Sequence, residues 1–211
     1  MHRNQIWLIT GSSRGIGFVL ARGLARAGAR VVLNARDAAR LDAAAEALRA
    51  DGIDAHARPF DVTDEDAVEA AVAAIEDEIG PLDILVNNAG IQERRPLHEF
   101  PAEEWRRLLD TNLTSAFLVG RAVGARMLAR RRGKIINVCS LQSELARPNI
   151  APYAATKGAL KMLTQGMCAD WAPYGIGVNG IGFQRNCEMY GPFSSPAELP
   201  RNSISGDFGP E

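Results

Sequence analysis

Residues 6–17 read IWLITGSSRGIG: an apolar run, then glycines at 11, 15 and 17 that lead into a helical pattern. The run lacks polar alternation, as expected of a strand covered on both faces. Gly11, Gly15 and Gly17 fall where a backbone must turn tightly, approach a pyrophosphate and let a helix pack on a strand. Main-chain N–H groups at that helix N-terminus would face the phosphates. A glycine loop set between strand and helix therefore predicts a dinucleotide-binding α/β fold.

Outward from this stretch the same alternation repeats. Strand-like runs lie at 5–10, 30–34, 54–60, 82–86, 134–139 and 177–181. Ala67, Val68, Ala71, Val72, Ile75 and Ile79 make one helical stripe, opened by Asp64, Glu65 and Asp66, with Thr63 or Asp64 as N-cap. Further helices are expected after Gly15, over 37–50, twice around 96–132, and from about Pro152 onward. Repeated strand–helix order predicts α/β architecture: a doubly wound, Rossmann-type parallel sheet with helices on both faces. One dinucleotide-binding catalytic domain over 1–182 is expected. Residues 183–211 are rich in Pro, Gly and Ser, show no period, and read as an irregular tail.

Composition narrows the function classes. The 211 residues suffice for one core, and a net charge of −1 offers no attraction to nucleic acid or an anionic membrane. No apolar run could span a bilayer, and the N-terminus lacks a signal-peptide core. Cys139, Cys168 and Cys187 lack metal spacing and read as reduced thiols of a cytoplasmic protein, with no metal expected. Arg126, Arg130, Arg131, Arg132 and Lys134 read as a solvated helix end beside the negative pole of the helix dipole.

YAATK, residues 153–157, sets Tyr153 and Lys157 four apart and hence on one helical face. A free phenol, with a pKa of about 10, is a poor base near neutrality. A neighbouring ammonium favours the phenolate. Ser140 follows the strand KIINVC, at the carboxyl end where open α/β sheets bind ligands.

The glycine loop, NNAG at 87–90, Asn112, Ser140 and YAATK occur in the order found in the short-chain dehydrogenase/reductase family, which residues 4–182 resemble. The resemblance implies a nicotinamide cofactor held by Gly11, Ser13, Arg14, Gly15, Ile16 and Gly17, with Asp61 on the adenine amino group and Val62 beside the ring. It implies that Asn88, Ala89 and Gly90 line the cofactor's sugar. Tyr153 would be the acid/base catalyst, Lys157 would also bond the nicotinamide ribose, and Ser140 would hold the substrate oxygen. Asn112 would hold a water linking Lys157 to solvent.

The second strand ends VVLNARD. Asn34 and Ala35 stand where NAD enzymes carry a carboxylate, with Arg36 next and Arg14 in the glycine loop. Guanidinium groups suit a ribose 2′-phosphate, which favours NADP(H) over NAD(H). The alternative is that Arg36 merely caps the strand while Asp37 turns to the ribose.

SLQSELARP, residues 140–148, is similar to the gluconate 5-dehydrogenase (5-keto-D-gluconate reductase) group of that family. This implies interconversion of D-gluconate and 5-dehydro-D-gluconate. Arg94 and Arg95 could meet the sugar-acid carboxylate, and Gln142, Ser143 and Glu144 its hydroxyls. Reductases of 3-oxoacyl thioesters or steroid ketones share the general motifs and stay open. So does a nucleotide-binding protein with impaired catalysis. After Gly182 the family's Pro-Gly and following Thr give way to Phe183, Gln184 and Arg185, and its lid and last strand have no counterpart. The tail reads like a shifted frame with an early stop. The family's pairing into homodimers or homotetramers would use helices near 105–131 and 152–174, with Leu109, Leu113, Phe117, Leu160, Met162 and Leu163.

Overall fold

The computed structural model describes residues 4–183. The expectation of an irregular tail at 183–211 lies outside them, except at Phe183, which ends a strand. Six strands form one parallel sheet: β1 (Ile6–Ile9), β2 (Arg30–Leu33), β3 (Ala55–Ala57), β4 (Ile84–Asn87), β5 (Gly133–Ser140) and β6 (Ile176–Phe183). Their order is β3-β2-β1-β4-β5-β6, so the chain reverses direction across the sheet between β1 and β4. Trp7 pairs with Val31 on one side and Ile84 on the other.

The pleat of β1 divides the core. Ile6 and Leu8 join the cluster formed with α3 (Glu65–Glu78), α5 (Ser115–Arg130) and α6 (Ala151–Trp171), through Val72, Ile75, Val123, Met127 and Met167. Trp7 and Ile9 join the cluster under α1 (Gly15–Arg26) and α2 (Ala38–Ala50), with Ala21, Leu41, Ala45 and Leu48. Each such fully buried large side chain contributes about 1.5–3 kcal/mol. Two covered faces explain why these strands lack alternation.

The doubly wound sheet and all six strands match the sequence expectation, and Asp64 is the α3 cap, accepting from Ala67 N at 3.0 Å. The strand expected over 54–60 shrinks to Ala55–Ala57 because Pro59 has no N–H for the ladder. Around 96–132 the two expected helices are α4 (Ala102–Leu109) and α5, joined by a π turn at Asp110–Thr114. The basic cluster is not simply solvated. α3 packs beside α5, so Arg130 meets Glu76 at 2.9 Å and Arg126 meets Glu69 at 3.6 Å, while Arg132 reaches Asp83 at 2.9 Å. Of the residues expected to pair subunits, Leu160 is buried in the chain's own core with Leu113 and Leu163 packed against it, whereas Phe117 and Met162 are exposed. No helix among the described residues is long and apolar enough to cross a membrane.

Candidate functional site

A cleft of about 950 Å³ opens at the carboxyl ends of β1 and β4, where the strand order reverses. Gly11, Ser13, Arg14, Gly15, Ile16 and Gly17 of the glycine loop line it. Gly11 has φ +62°, and a Cβ there would lie 2.9 Å from the Ala89 Cα, so only glycine fits between the two loops. Gly15 has φ +61°, and a Cβ there would meet nothing within 4 Å, so that turn of backbone faces open cleft. The NNAG loop braces the glycine loop. Asn88 N and Ala89 N both donate to Thr10 Oγ1 at 3.0 Å, and Asn88 Nδ2 donates to the Thr10 and Gly11 carbonyls. The side chain of Asn88 is thus a strut, while Asn88, Ala89 and Gly90 line the cleft wall.

The far end of the cleft is cationic. Arg14, Arg36 and Arg40 all line it, and the sequence reading had missed Arg40. The signal was there: Arg36 and Arg40 stand four apart at the opening of α2. Asn34, at the end of β2, is tied into the protein. Its buried amide accepts from Gly11 N at 3.4 Å and donates to the Arg58 and Phe60 carbonyls. Asp37 caps α2, accepting from Arg40 N at 3.0 Å and pairing with its guanidinium at 3.3 Å. Partial burial pushes the Asp61 carboxyl up, but Thr63 N–H, Thr63 Oγ1 and Arg36 outweigh it and hold the group below its ordinary range. Thr63 occupies Oδ1 at 2.9 and 2.7 Å, and Arg36 stands 3.5 Å from Oδ2. Val62 is buried beside it. Glycines on open space, guanidinium groups at one end and a locked carboxylate fit a dinucleotide.

Gly90 and Ile91 also line the cleft, which continues along Glu103, Arg106, Arg107, Asp110 and Thr111. Tyr153, Lys157 and Ser140 are not among its lining residues, but Lys157 stands directly behind: a Cβ on Gly90 would lie 3.7 Å from Lys157 Nζ. Lys157 is buried on the inner face of α6, where Nζ donates to the Val138 carbonyl at 2.7 Å. Burial lowers its pKa from 10.5 to about 8, with Cys139 nearby opposing the fall slightly. Tyr153 is half-buried one turn earlier on the same helix. Ser140 ends β5, its hydroxyl accepting from Gln142 N at 3.1 Å.

Asn112 is held by protein partners. The π turn aims its amide inward, where Nδ2 donates to Ile91 O at 2.9 Å and Thr156 Oγ1 at 3.1 Å, and Oδ1 accepts from Ile91 N at 2.7 Å. Both amide hydrogens are engaged with protein, so the side chain is a clamp on the Ile91 backbone.

Two loops meet just before α6. Arg95 N donates to the Asn149 carbonyl at 3.0 Å, joining the segment after β4 to the one before α6. Arg94 and Arg95 are exposed and form no ion pair among the described residues. Gln142 keeps a buried Oε1 without a hydrogen-bond partner among the described residues. Ser143 Oγ accepts from Ser140 N at 3.3 Å. Glu144 pairs with Lys161 of α6 at the surface.

The family description "short chain dehydrogenase" matches residues 5–183. A gluconate 5-dehydrogenase of Gluconobacter oxydans is 58% identical over 174 residues, covering 82% of this chain and 68% of that protein. A 5-keto-D-gluconate 5-reductase of Escherichia coli is 54% identical over the same coverage of 82% and 68%. Among solved structures, a gluconate 5-dehydrogenase from Burkholderia cenocepacia in complex with NADP and tartrate superposes with a TM-score of 0.83 at 54% identity, over 85% of this chain and 71% of that one.

Proposed function

The chain belongs to the short-chain dehydrogenase family of oxidoreductases, and from that premise we propose that it transfers a hydride between NADP(H) and a sugar acid, interconverting D-gluconate and 5-dehydro-D-gluconate. One observation carries the catalytic part of this reading. The buried Lys157 ammonium lies behind the dinucleotide cleft wall at Gly90, one helical turn from Tyr153. When bound, the nicotinamide supplies the acceptor or donor of the hydride.

The chain's own residues do the rest. Gly11, Ser13, Gly15, Ile16 and Gly17 cradle the pyrophosphate. Arg14, Arg36 and Arg40 take the 2′-phosphate, and Asp61 with Val62 receive the adenine. NADP(H) over NAD(H) is favoured because Asp37 is occupied as a helix cap and Asn34 is occupied as a strut. The Burkholderia relative's complex with NADP supports the same choice.

In oxidation Ser140 holds the C5 hydroxyl, Tyr153 accepts its proton as the C–H hydride leaves, and a carbonyl remains. Reduction runs the same steps backward. The Lys157 charge favours the phenolate that this requires. Arg94 and Arg95 face the carboxylate, while Gln142 and Ser143 meet hydroxyls. Tartrate, bound in the Burkholderia relative, is likewise a hydroxy acid. Phe117 and Met162, left exposed on α5 and α6, are proposed to pair two copies.

Loss of absorbance by NADPH in the presence of 5-keto-D-gluconate tests the reading, with Tyr153→Phe as control. Turnover by the wild type and none by the variant is the expected result. Equal rates would remove Tyr153 from the chemistry, and turnover of 3-oxoacyl thioesters instead would move the substrate class. Cofactor binding with no turnover of any ketone would favour a nucleotide-binding role.

A further inference from the structure

We propose that Thr156 is a positioning residue: its hydroxyl couples the Tyr153–Lys157 turn to the loop that lines the cofactor cleft. The inference rests on the reading of Tyr153 and Lys157 as the acid/base pair. Thr156 is fully buried, and its Oγ1 donates to the Tyr153 carbonyl at 2.8 Å. A helical threonine often bonds back in this way and nothing more. Here the same oxygen also accepts from Asn112 Nδ2 at 3.1 Å, forty-four residues away in sequence.

Asn112 passes the link on. Its amide grips both backbone groups of Ile91, donating to O at 2.9 Å and accepting from N at 2.7 Å. Ile91 follows Gly90, whose Cβ position lies 3.3 Å from Asn112 Oδ1 and 3.7 Å from Lys157 Nζ. Three segments therefore lock at one point: the loop after β4, the π turn and α6. Cofactor-side backbone and catalytic helix are held in register through one hydroxyl. Removing it leaves a buried amide hydrogen of Asn112 without a partner, and buried donors rarely persist so. Asn112 must then shift, and the Ile91 clamp with it.

Thr156→Val keeps the shape and deletes the hydroxyl, while Thr156→Ser keeps the hydroxyl. In the full chain, the Ile91 amide is expected to exchange with solvent at least about tenfold faster in the valine variant, since its acceptor is loosened, and at the wild-type rate in the serine variant. The kcat for the sugar acid should fall between about tenfold and a hundredfold in the valine variant, because small displacements at a reacting centre are costly. NADP(H) affinity should stay within about twofold, since the loss falls on orientation rather than uniform binding. Serine should restore kcat.

An unchanged Ile91 exchange rate in Thr156→Val overturns the coupling. Faster exchange with unchanged kcat overturns the positioning role and leaves a structural bond. A wild-type chain that turns over other ketones but not the sugar acid refutes the substrate reading alone, and the kcat comparison is then made on the ketone it accepts. If no ketone is reduced, the exchange comparison still decides: acceleration supports the link and an unchanged rate overturns it.

Discussion

Replacing Lys157 with methionine should stabilise the protein near neutrality while abolishing its activity. Nζ is buried, and its pKa falls from 10.5 to about 8 because folding strips water from the ammonium. Between those two values the unfolded chain holds more protons than the folded one, so stability rises with pH across that window. Below about 8 both states are protonated, and the folded state carries the full penalty. A fall of that size corresponds to about 3 kcal/mol. Methionine removes the penalty and also removes the hydrogen bond to Val138 O, which contributes about 1 kcal/mol. Near pH 7 Lys157→Met should therefore be more stable than the wild type by about 2 kcal/mol. Above pH 10.5 the amine is neutral in both states, only the lost hydrogen bond counts, and the variant should be less stable. Urea unfolding at a series of pH values measures the difference. Both proteins are best compared with Cys139→Ala in the background, because burial raises that neighbouring thiol's pKa and gives it a pH dependence of its own. A difference that is flat with pH, or a variant less stable at neutrality, would refute the view that burial holds this ammonium at a cost.

Arg36→Ala and Arg40→Ala should each weaken NADP(H) binding by about tenfold or more and leave NAD(H) binding nearly unchanged, as read by cofactor fluorescence. Gly11→Ala should lower the unfolding midpoint more than Gly15→Ala. Both force alanine into a left-handed backbone at about 1–2 kcal/mol, but only at Gly11 would the new Cβ strike backbone, the Ala89 Cα at 2.9 Å. Asn137→Ala should destabilise by about 2–4 kcal/mol in urea, since the fully buried amide accepts from Asn87 Nδ2 and donates to Thr164 Oγ1, both at 2.9 Å, and each buried partner would lose one of its two bonds.

Much of the site could be read along the chain because its signals are local. The glycine loop needs strand, turn and helix in one stretch, and IWLITGSSRGIG holds all three. The Tyr153–Lys157 pair needs only a helix, and Asp64 needs only a first turn to cap. What escaped the reading depended on partners far away. The sequence shows Asn34 only as an amide where NAD enzymes carry a carboxylate, and the fold brings Gly11 N and the Phe60 carbonyl to it. Nothing near Asn112 in sequence announces that the π turn delivers its side chain to Ile91 and Thr156. Glu144 meets Lys161 only once α6 is in place. The arginines at the end of α5 looked solvated because the acids of α3, some fifty residues back, are adjacent only after folding.

By itself the sequence determined the alternation of strands and helices, the glycine turn and the helical step between phenol and ammonium. Each of these follows from residue types within a few positions, through backbone conformation and periodicity. The tertiary structure decided which polar groups are left for ligands. The strand order brings Thr10 against Asn88, seventy-eight residues on, and Val138 against Lys157, so struts and a buried ammonium arise where the sequence shows only amides and a lysine. A polar side chain has a fixed number of hydrogen bonds to give, and folding determines how many are taken before a substrate arrives.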